Sequence, residues 1–168
     1  MRNALPIVRA LSSLMLSVML LMMGNSLFTT LIVLRADIEG YPNEMIGLMT
    51  SAYFFGFAIG TLRTGPIINR VGHIRSFAAF AAITSATMLS FLMILDPWAW
   101  VVLRIIMGAS IAGCFIVNES WLNNRATNQS RGVLLSVYMM LGYLASATGQ
   151  QSLQIGNPGG VNVFLFVG

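Results

Sequence analysis

The segment GPIINRVGHIR, residues 65–75, is a basic, glycine-containing stretch between two long apolar ranges. It brings together two arginines, a histidine, two glycines and a proline: Gly65, Pro66, Arg70, Gly72, His73 and Arg75. The flanking ranges 45–62 and 76–95 contain no Asp, Glu, Lys or Arg. A short basic segment between two charge-free ranges is typical of the link between membrane-spanning helices. We therefore predict that residues 65–75 form a tight turn at a membrane face.

The composition of the whole chain indicates a membrane protein. Its 168 residues are 57% hydrophobic and 8% charged, whereas soluble domains carry about 25% charged residues. Ranges 11–34, 45–62, 76–95 and 132–155 contain no charged residue, and a fifth apolar range, 98–122, contains Arg104 and Glu119. A spanning helix needs about 20 apolar residues. The sequence therefore predicts an all-α membrane protein with five transmembrane helices over these ranges.

The positions of the prolines indicate that the predicted helices are uninterrupted. All five lie outside the four charge-free ranges and at or beyond the edges of the fifth: Pro6, Pro42, Pro66, Pro97 and Pro158. Because proline removes a helix hydrogen bond and distorts the helix around it, this placement predicts that proline occurs only at the ends of the spans.

The last residues predict a sixth helix that starts without crossing the bilayer. Residues 156–160, GNPGG, indicate a tight turn. The apolar residues of 161–168 would make about 10 Å of helix, roughly a third of the hydrocarbon layer. Either the chain is the N-terminal part of a longer protein whose C-terminal half covers this end, or another membrane protein covers it. The second case implies a non-transporting membrane subunit or scaffold that docks onto a larger complex.

Arginine is concentrated in alternate links, which predicts the orientation. The N-terminal end and the loops 63–75 and 123–131 carry arginines without an acidic residue, whereas Arg35 is accompanied by three acidic residues and the link after the third span has only Asp96. By the positive-inside rule, the N-terminus and both basic loops are cytoplasmic. Trp98 and Trp100 then fall in the aromatic belt of the outer face. Basic residues spread over short loops give no reason to expect a nucleic-acid partner.

The sequence gives little support for an enzyme activity. Cys114 is the single cysteine and His73 the single histidine, so neither belongs to a cluster with metal-ligand spacing. No nucleophile–base pair or phosphate-binding loop is present in the sequence. We predict no enzyme activity, no cofactor and no metal site.

Small residues recur at helical spacing in three of the predicted spans. They are Gly56 and Gly60, then Ala109 and Gly113, then Gly142, Ser146 and Gly149. Such stripes allow helix backbones to approach closely in lipid, so the sequence predicts a packed bundle.

Residues 65–75 resemble the signature loop between the second and third helices of the major facilitator superfamily. That pattern runs Gly, three residues, Asp, Arg or Lys, one residue, Gly, then basic residues. Four positions match it: Gly65, Arg70, Gly72 and Arg75. Asn69 replaces the usual Asp, and His73 stands where a basic residue is usual.

The stretch from Arg104 to Gly108 resembles the Arg-x-x-x-Gly motif of the fourth helix in the same superfamily. A charge inside a span costs roughly 3 kcal/mol and usually faces a cavity. Arg104 lies about 9 Å beyond Trp98 along a helix, so it either faces such a cavity or extends outward to the membrane surface.

Glu119 is the other charged residue in a predicted span. At about 22 Å along the helix from Arg104, it cannot pair with that residue. It is level with Arg70 near the predicted cytoplasmic end. An acidic residue there pairs with the signature-loop arginine in the superfamily, so the resemblance implies a gating ion pair between Glu119 and Arg70. The alternative is a helix-end carboxylate in contact with water.

Residues 118–122, NESWL, together with Arg125, Asn128, Arg131, Gly132 and 138–140, resemble the bacterial YcaD-like branch of the superfamily. The resemblance runs over most of the chain. It implies a twelve-helix, multi-pass transporter of the bacterial inner membrane, of which this chain is the first five helices and part of the sixth. The expected partners are the lipid bilayer, the missing C-terminal half or another membrane protein, and a small solute of unknown identity.

The resemblance implies secondary transport by alternating access, with a solute path between two six-helix halves. Candidate path residues are the polar residues in mid-span: Asn25, Arg104, Gln150 and Gln151. Gln150 and Gln151 point about 100° apart on a helix, so at most one of them is expected to line the path. An arginine in the path favours an anionic or zwitterionic solute.

Overall fold

The structure, a computed structural model, describes residues 4–127 and 131–152. These residues form five helices: α1 (Ala4–Ile38), α2 (Asn43–Val71), α3 (His73–Met93), α4 (Pro97–Arg125) and α5 (Arg131–Ser152). Each helix includes a segment long and apolar enough to cross a membrane, so the predicted all-α fold with five spans is confirmed. The predicted end of the fifth helix at 153–155 and the start of the sixth at 161–168 lie outside the described residues.

Helices α1, α2 and α4 extend beyond the predicted ranges at both ends, and the local sequence supplies the starts of two of them. Asp96 caps α4, since its carboxylate accepts a hydrogen bond from the Ala99 N–H at 2.8 Å. Pro97 follows in the first turn, where its missing N–H leaves no bond unmade. Pro42, with an extended backbone, precedes α2 in the same way. Prolines at 42 and 97 thus lie at helix starts, as predicted.

Residues 65–75 are almost entirely helical, which corrects the predicted turn. Helix α2 continues through Gly65 and Pro66 to Val71, and α3 begins at His73. The link is Gly72 alone, whose φ of 87° suits glycine because it has no Cβ. Pro66 deprives the Leu62 carbonyl of its helix partner, a loss limited to one bond near the end of α2. The prediction that proline occurs only at span ends is therefore wrong for Pro66.

The helices pack as two groups. The most extensive contact joins α2 and α4, followed by α1 with α5 and α3 with α4, whereas α2 and α3 contact each other little. The central core draws on α1, α2, α3 and α4: Leu27, Phe28, Leu31, Ile32, Ala36, Met49, Tyr53, Met88, Phe91, Trp100, Met107 and Ile111. We call the end with residues 63–75, 119–127 and Arg131 the arginine end, and that with residues 36–45 and 93–100 the tryptophan end.

The contact between α2 and α4 is a backbone-to-backbone contact made possible by glycine. A Cβ on Gly56 would overlap the carbonyl of Ile105, and one on Gly60 would overlap the backbone of Ala109. From the other side, a Cβ on Gly108 would overlap the carbonyl oxygen of Tyr53. The predicted close approach at Gly56 and Gly60 is confirmed. Gly108 also belongs to this contact, although the spacing of small residues in the sequence did not reveal it.

The small residues of α5 pack against α1 in the same manner. Gly142 faces the side chain of Met22, and Gly149 faces the backbone of Met23. Between them, the Ser26 hydroxyl donates a hydrogen bond to the Ser146 carbonyl at 3.0 Å. Gly142, Ser146 and Gly149 therefore form one contact face, as their spacing predicts.

The two tryptophans at the start of α4 have different environments. Trp98 is 64% exposed, which fits an interfacial belt, but Trp100 is 0% exposed. The Trp100 ring packs edge-on against Tyr41 and Phe91, and its indole N–H donates to the Ile94 carbonyl at 2.5 Å. The belt prediction is thus wrong for Trp100, because that residue faces the bundle and closes its core.

Candidate functional site

Arg104 lies inside the helix bundle. Arg104 is 1% exposed, so its side chain does not extend outward to the membrane surface. The helix contact described above explains this placement. Ile105 and Gly108 hold α4 against α2, and Arg104 is on the buried side of that helix.

Two aromatic side chains contact the guanidinium of Arg104. Its Cζ lies 5.7 Å from the ring centroid of Tyr53 on α2 and 6.0 Å from that of Phe28 on α1. The negative face of an aromatic ring attracts a cation, the more so where water is excluded. The contact between Gly108 and the Tyr53 carbonyl fixes the backbone that carries one of these rings.

Asn25 joins the same group through Tyr53. The Tyr53 hydroxyl donates a hydrogen bond of 3.3 Å to the Asn25 Oδ1, and the Asn25 side chain is half-buried. Two of the candidate path residues, Asn25 and Arg104, are therefore brought together around one tyrosine. We call Asn25, Phe28, Tyr53 and Arg104 the Arg104 cluster.

The Arg104 cluster contains no acidic side chain to balance its charge. The five carboxylates of the sequence, Asp37, Glu39, Glu44, Asp96 and Glu119, lie near helix ends and are exposed or half-buried. Nε and one terminal nitrogen of Arg104 are buried without a hydrogen-bond partner among the described residues. A buried cation with unpaired N–H groups is costly in a low-dielectric interior.

Gln150 and Gln151 are not part of the Arg104 cluster. Both lie near the end of α5, and both side chains are exposed. Gly149, which precedes them, packs on α1 and so turns the adjacent positions outward. Their role as path residues stays a prediction.

The arginine end brings the signature segment against α4. The His73 ring and the Ser120 hydroxyl share a hydrogen bond of 3.1 Å, so the Gly72 link lies beside the turn of α4 that carries Glu119. Asn69, Arg70 and Arg75 are exposed. The structure describes no ion pair between Glu119 and Arg70, and the Glu119 carboxylate instead accepts a hydrogen bond of 3.4 Å from the Tyr138 hydroxyl. The pair with Arg70 stays a prediction.

Two other arginines at this end have local partners. Arg125 lies over the Trp121 ring with its Cζ 4.8 Å from the centroid. The Nε of Arg131 donates to the Asn123 Oδ1 at 3.0 Å. The first contact lies within α4, and the second joins the last turns of α4 to the start of α5.

At the tryptophan end, Tyr41 lies in the link between α1 and α2. Burial, and then the negative charges of Glu39 and Asp96, raise the pKa of Tyr41. Arg35 lowers it to a smaller extent and forms an ion pair with Glu39. The Tyr41 hydroxyl therefore stays protonated at neutral pH and serves as a packing group beside Trp100.

Residues 4–127 and 131–152 hold no group of three or more His, Cys, Asp or Glu side chains that could bind a metal ion. Cys114 is a free, buried thiol in the middle of α4. Its surroundings give it the character of a packing residue.

Sequence reasoning missed the two aromatic members of the Arg104 cluster. Phe28 and Tyr53 are aromatic residues in apolar spans, where such residues are ordinary. Tyr53 had one usable signal, since it lies three residues before Gly56 and so on the same face of α2. Phe28 lies three residues after Asn25 in α1, which places it on the face of that polar residue. Neither spacing alone identifies a contact with Arg104.

Comparison with known proteins gives a consistent result. The sequence profile of the Major Facilitator Superfamily matches residues 14–150. An uncharacterized MFS-type transporter of Enterobacter sp. (strain 638) is 34% identical over 82% of this chain and 36% of its own length. The uncharacterized MFS-type transporter YcaD of Escherichia fergusonii is 32% identical over 84% of the chain and 37% of its own length. A further uncharacterized MFS-type transporter, of Yersinia enterocolitica, is 36% identical over 82% of the chain and 38% of its own length.

The chain thus spans a little over a third of the length of the curated relatives it matches, with 36–38% covered in these three. No solved structure matches it.

Proposed function

The chain belongs to the major facilitator superfamily, and from that membership we propose that it is the N-terminal part of a secondary transporter that moves a small solute by alternating access. The relatives are MFS-type transporters by name. The observation that carries the proposal is the buried Arg104 cluster, because a charge kept inside a membrane bundle at a cost of roughly 3 kcal/mol is typical of a solute or ion pathway. In such a mechanism the five described helices move largely as one body against the other half.

We also propose that the arginine end faces the cytoplasm in a bacterial inner membrane. Five arginines lie at this end, at positions 63, 70, 75, 125 and 131, with Glu119 as the single acidic residue among them. The tryptophan end carries Asp37, Glu39, Glu44 and Asp96 against Arg35. This asymmetry supports the orientation by the positive-inside rule.

Cysteine labelling tests the orientation. Cys114, the one cysteine of this sequence, and any cysteine in the remainder of the protein are replaced by alanine to give a cysteine-free background. Into it are placed I74C, at a residue 82% exposed at the arginine end, or L95C, at a residue 56% exposed at the tryptophan end. We expect a membrane-impermeant maleimide to label L95C in intact cells and I74C only after the cells are opened. The reverse pattern would overturn the orientation.

Alternating access requires a contact that forms in one state and breaks in the other, and we propose Glu119 and Arg70 as that gating pair. The hydrogen bond between His73 and Ser120 supports it, because it keeps the two chain segments together at the arginine end. The Tyr138 hydroxyl holds Glu119 in the described state. In the other state this exposed carboxylate would exchange tyrosine for arginine.

Solute exchange in proteoliposomes tests both the transport and the gate. The complete protein is reconstituted, and counterflow is measured with a radiolabelled carboxylate, an amine, a zwitterionic amino acid and a neutral sugar. We expect at least one class to exchange. R70Q and E119Q are each expected to slow that exchange about tenfold, and the double variant no further than either, since coupled residues are not additive.

The outcomes separate the alternatives. Additive effects of R70Q and E119Q would contradict the gating pair while leaving transport intact. Absence of exchange for all four solute classes would contradict transport itself and favour a membrane subunit or scaffold.

A further inference from the structure

The Arg104 cluster carries one positive charge that nothing in the described chain balances. Arg104 is the sole charged side chain among the buried residues that the structure describes. Its aromatic neighbours attract the cation, but the Tyr53 hydroxyl is bonded to Asn25, and two nitrogens of the guanidinium are buried and unpaired. The sequence has five carboxylates in all, at positions 37, 39, 44, 96 and 119, and none lies beside Arg104.

The missing partner must accept hydrogen bonds and carry negative charge. Guanidinium donates short, charge-assisted hydrogen bonds to carboxylate and phosphate, and of these a single carboxylate carries one negative charge whereas a phosphate monoester carries about −1.5 to −2. One cation balances one negative charge, so a second carboxylate on the same ligand would be left unpaired in an apolar interior. The rings of Phe28 and Tyr53 provide apolar surface for the rest of such a ligand.

We propose that the Arg104 cluster binds the carboxylate of a small organic monoanion, and that this is the solute class moved by the transporter. The assignment rests on the transport function proposed above. Arg104 supplies the charge, and Phe28 and Tyr53 contact the apolar body of the solute.

The hydrogen bond between Tyr53 and Asn25 gives a route to the buried charge. Asn25 is half-buried whereas Arg104 is enclosed, so the cluster is closest to the surface on the side of α1. At 3.3 Å the Tyr53–Asn25 bond is longer than the usual O–H···O distance. Its opening exposes Arg104 and frees the tyrosine hydroxyl and the asparagine amide to bind the solute.

Titration calorimetry with matched probes tests the proposal on the purified complete protein. Benzoate, benzamide and phthalate share one ring but carry one, no and two negative charges. We expect benzoate to bind the wild-type protein at least about tenfold more tightly than benzamide or phthalate. R104Q is expected to lose this preference, whereas R63Q, which removes an exposed arginine of α2, is expected to keep it.

Equal binding of benzoate and benzamide would overturn the proposal, as would benzoate binding to R104Q with wild-type affinity. Failure of all three probes to bind the wild-type protein would overturn it as well, and would point to a carboxylate in the remainder of the protein as the counter-ion. Should R104Q fail to fold, the comparison of the three probes on the wild-type protein still decides.

Failure of this proposal is distinguishable from failure of the transport function. If the protein exchanged a sugar or an amine but did not bind benzoate, the transport function would stand and the monoanion proposal would be wrong. If the protein bound benzoate but exchanged no solute, the binding site would stand and the transport function would be wrong.

Discussion

Replacing Gly56 with alanine will destabilise the bundle by about 3 kcal/mol, the upper range for a side chain forced into a packed interior. The added Cβ would overlap the backbone of Ile105. Backbone atoms cannot move aside as a flexible side chain can, so α2 and α4 would have to separate. That contact is the most extensive one between helices in the described chain. Unfolding by SDS titration in mixed micelles measures the change.

Gly47→Ala is the matched control in the same helix. No atom lies within 4 Å of the position that its Cβ would take. Since glycine in a helix costs about 0.5–1 kcal/mol relative to alanine, this change is expected to leave stability the same or raise it. Equal effects of the two substitutions would show that the backbone contact at Gly56 contributes nothing to stability.

Replacing Arg104 with leucine will lower solute exchange at least about 100-fold, or about 2.7 kcal/mol in the barrier, with little loss of stability. Leucine removes the cation–π contacts with Phe28 and Tyr53, each worth about 0.5–2 kcal/mol. It also removes a buried charge whose N–H groups have no partner, which offsets that loss. Counterflow and SDS unfolding on the same preparation measure both quantities.

A loss of stability that accompanies the loss of exchange would contradict this role for Arg104. If R104L reduced stability and exchange together, the arginine would serve mainly to hold α1, α2 and α4 in place. R63L provides the control, because it deletes an equally charged but exposed arginine of α2. We expect it to change exchange less than about twofold, in line with the small effects of most surface substitutions.

Much of this fold follows from the sequence because the bilayer imposes a simple rule. Apolar ranges of about 20 residues are expected to cross it as helices, and all five predicted spans are present. Where these helices end was harder to predict. Pro66 is tolerated within α2, because the bond it removes lies near the end of that helix. The sequence pattern of residues 65–75 therefore resembled a loop, although only Gly72 leaves the helical conformation.

The site was predictable as far as single residues allow. Arg104 is conspicuous because a charge in a membrane span is costly and rare. Its burial shows that its side chain does not extend outward to the membrane surface. The neighbours of Arg104 depend on how α1, α2 and α4 rotate against one another, which spacing within one helix does not determine. Trp100 illustrates the same limit, because its position near a span end predicts an interfacial belt but the rotation of α4 turns it into the core.

The single-residue link at Gly72 has a mechanical consequence. Helices α2 and α3 contact each other little, and both pack on α4. With one residue between them they have no slack, so a tilt of either helix at this end must displace the other. Any change in the angle between them would have to be absorbed at Gly72, whose φ is 87°. A displacement that starts beside Glu119 would therefore travel along both helices, and through α2 to Tyr53.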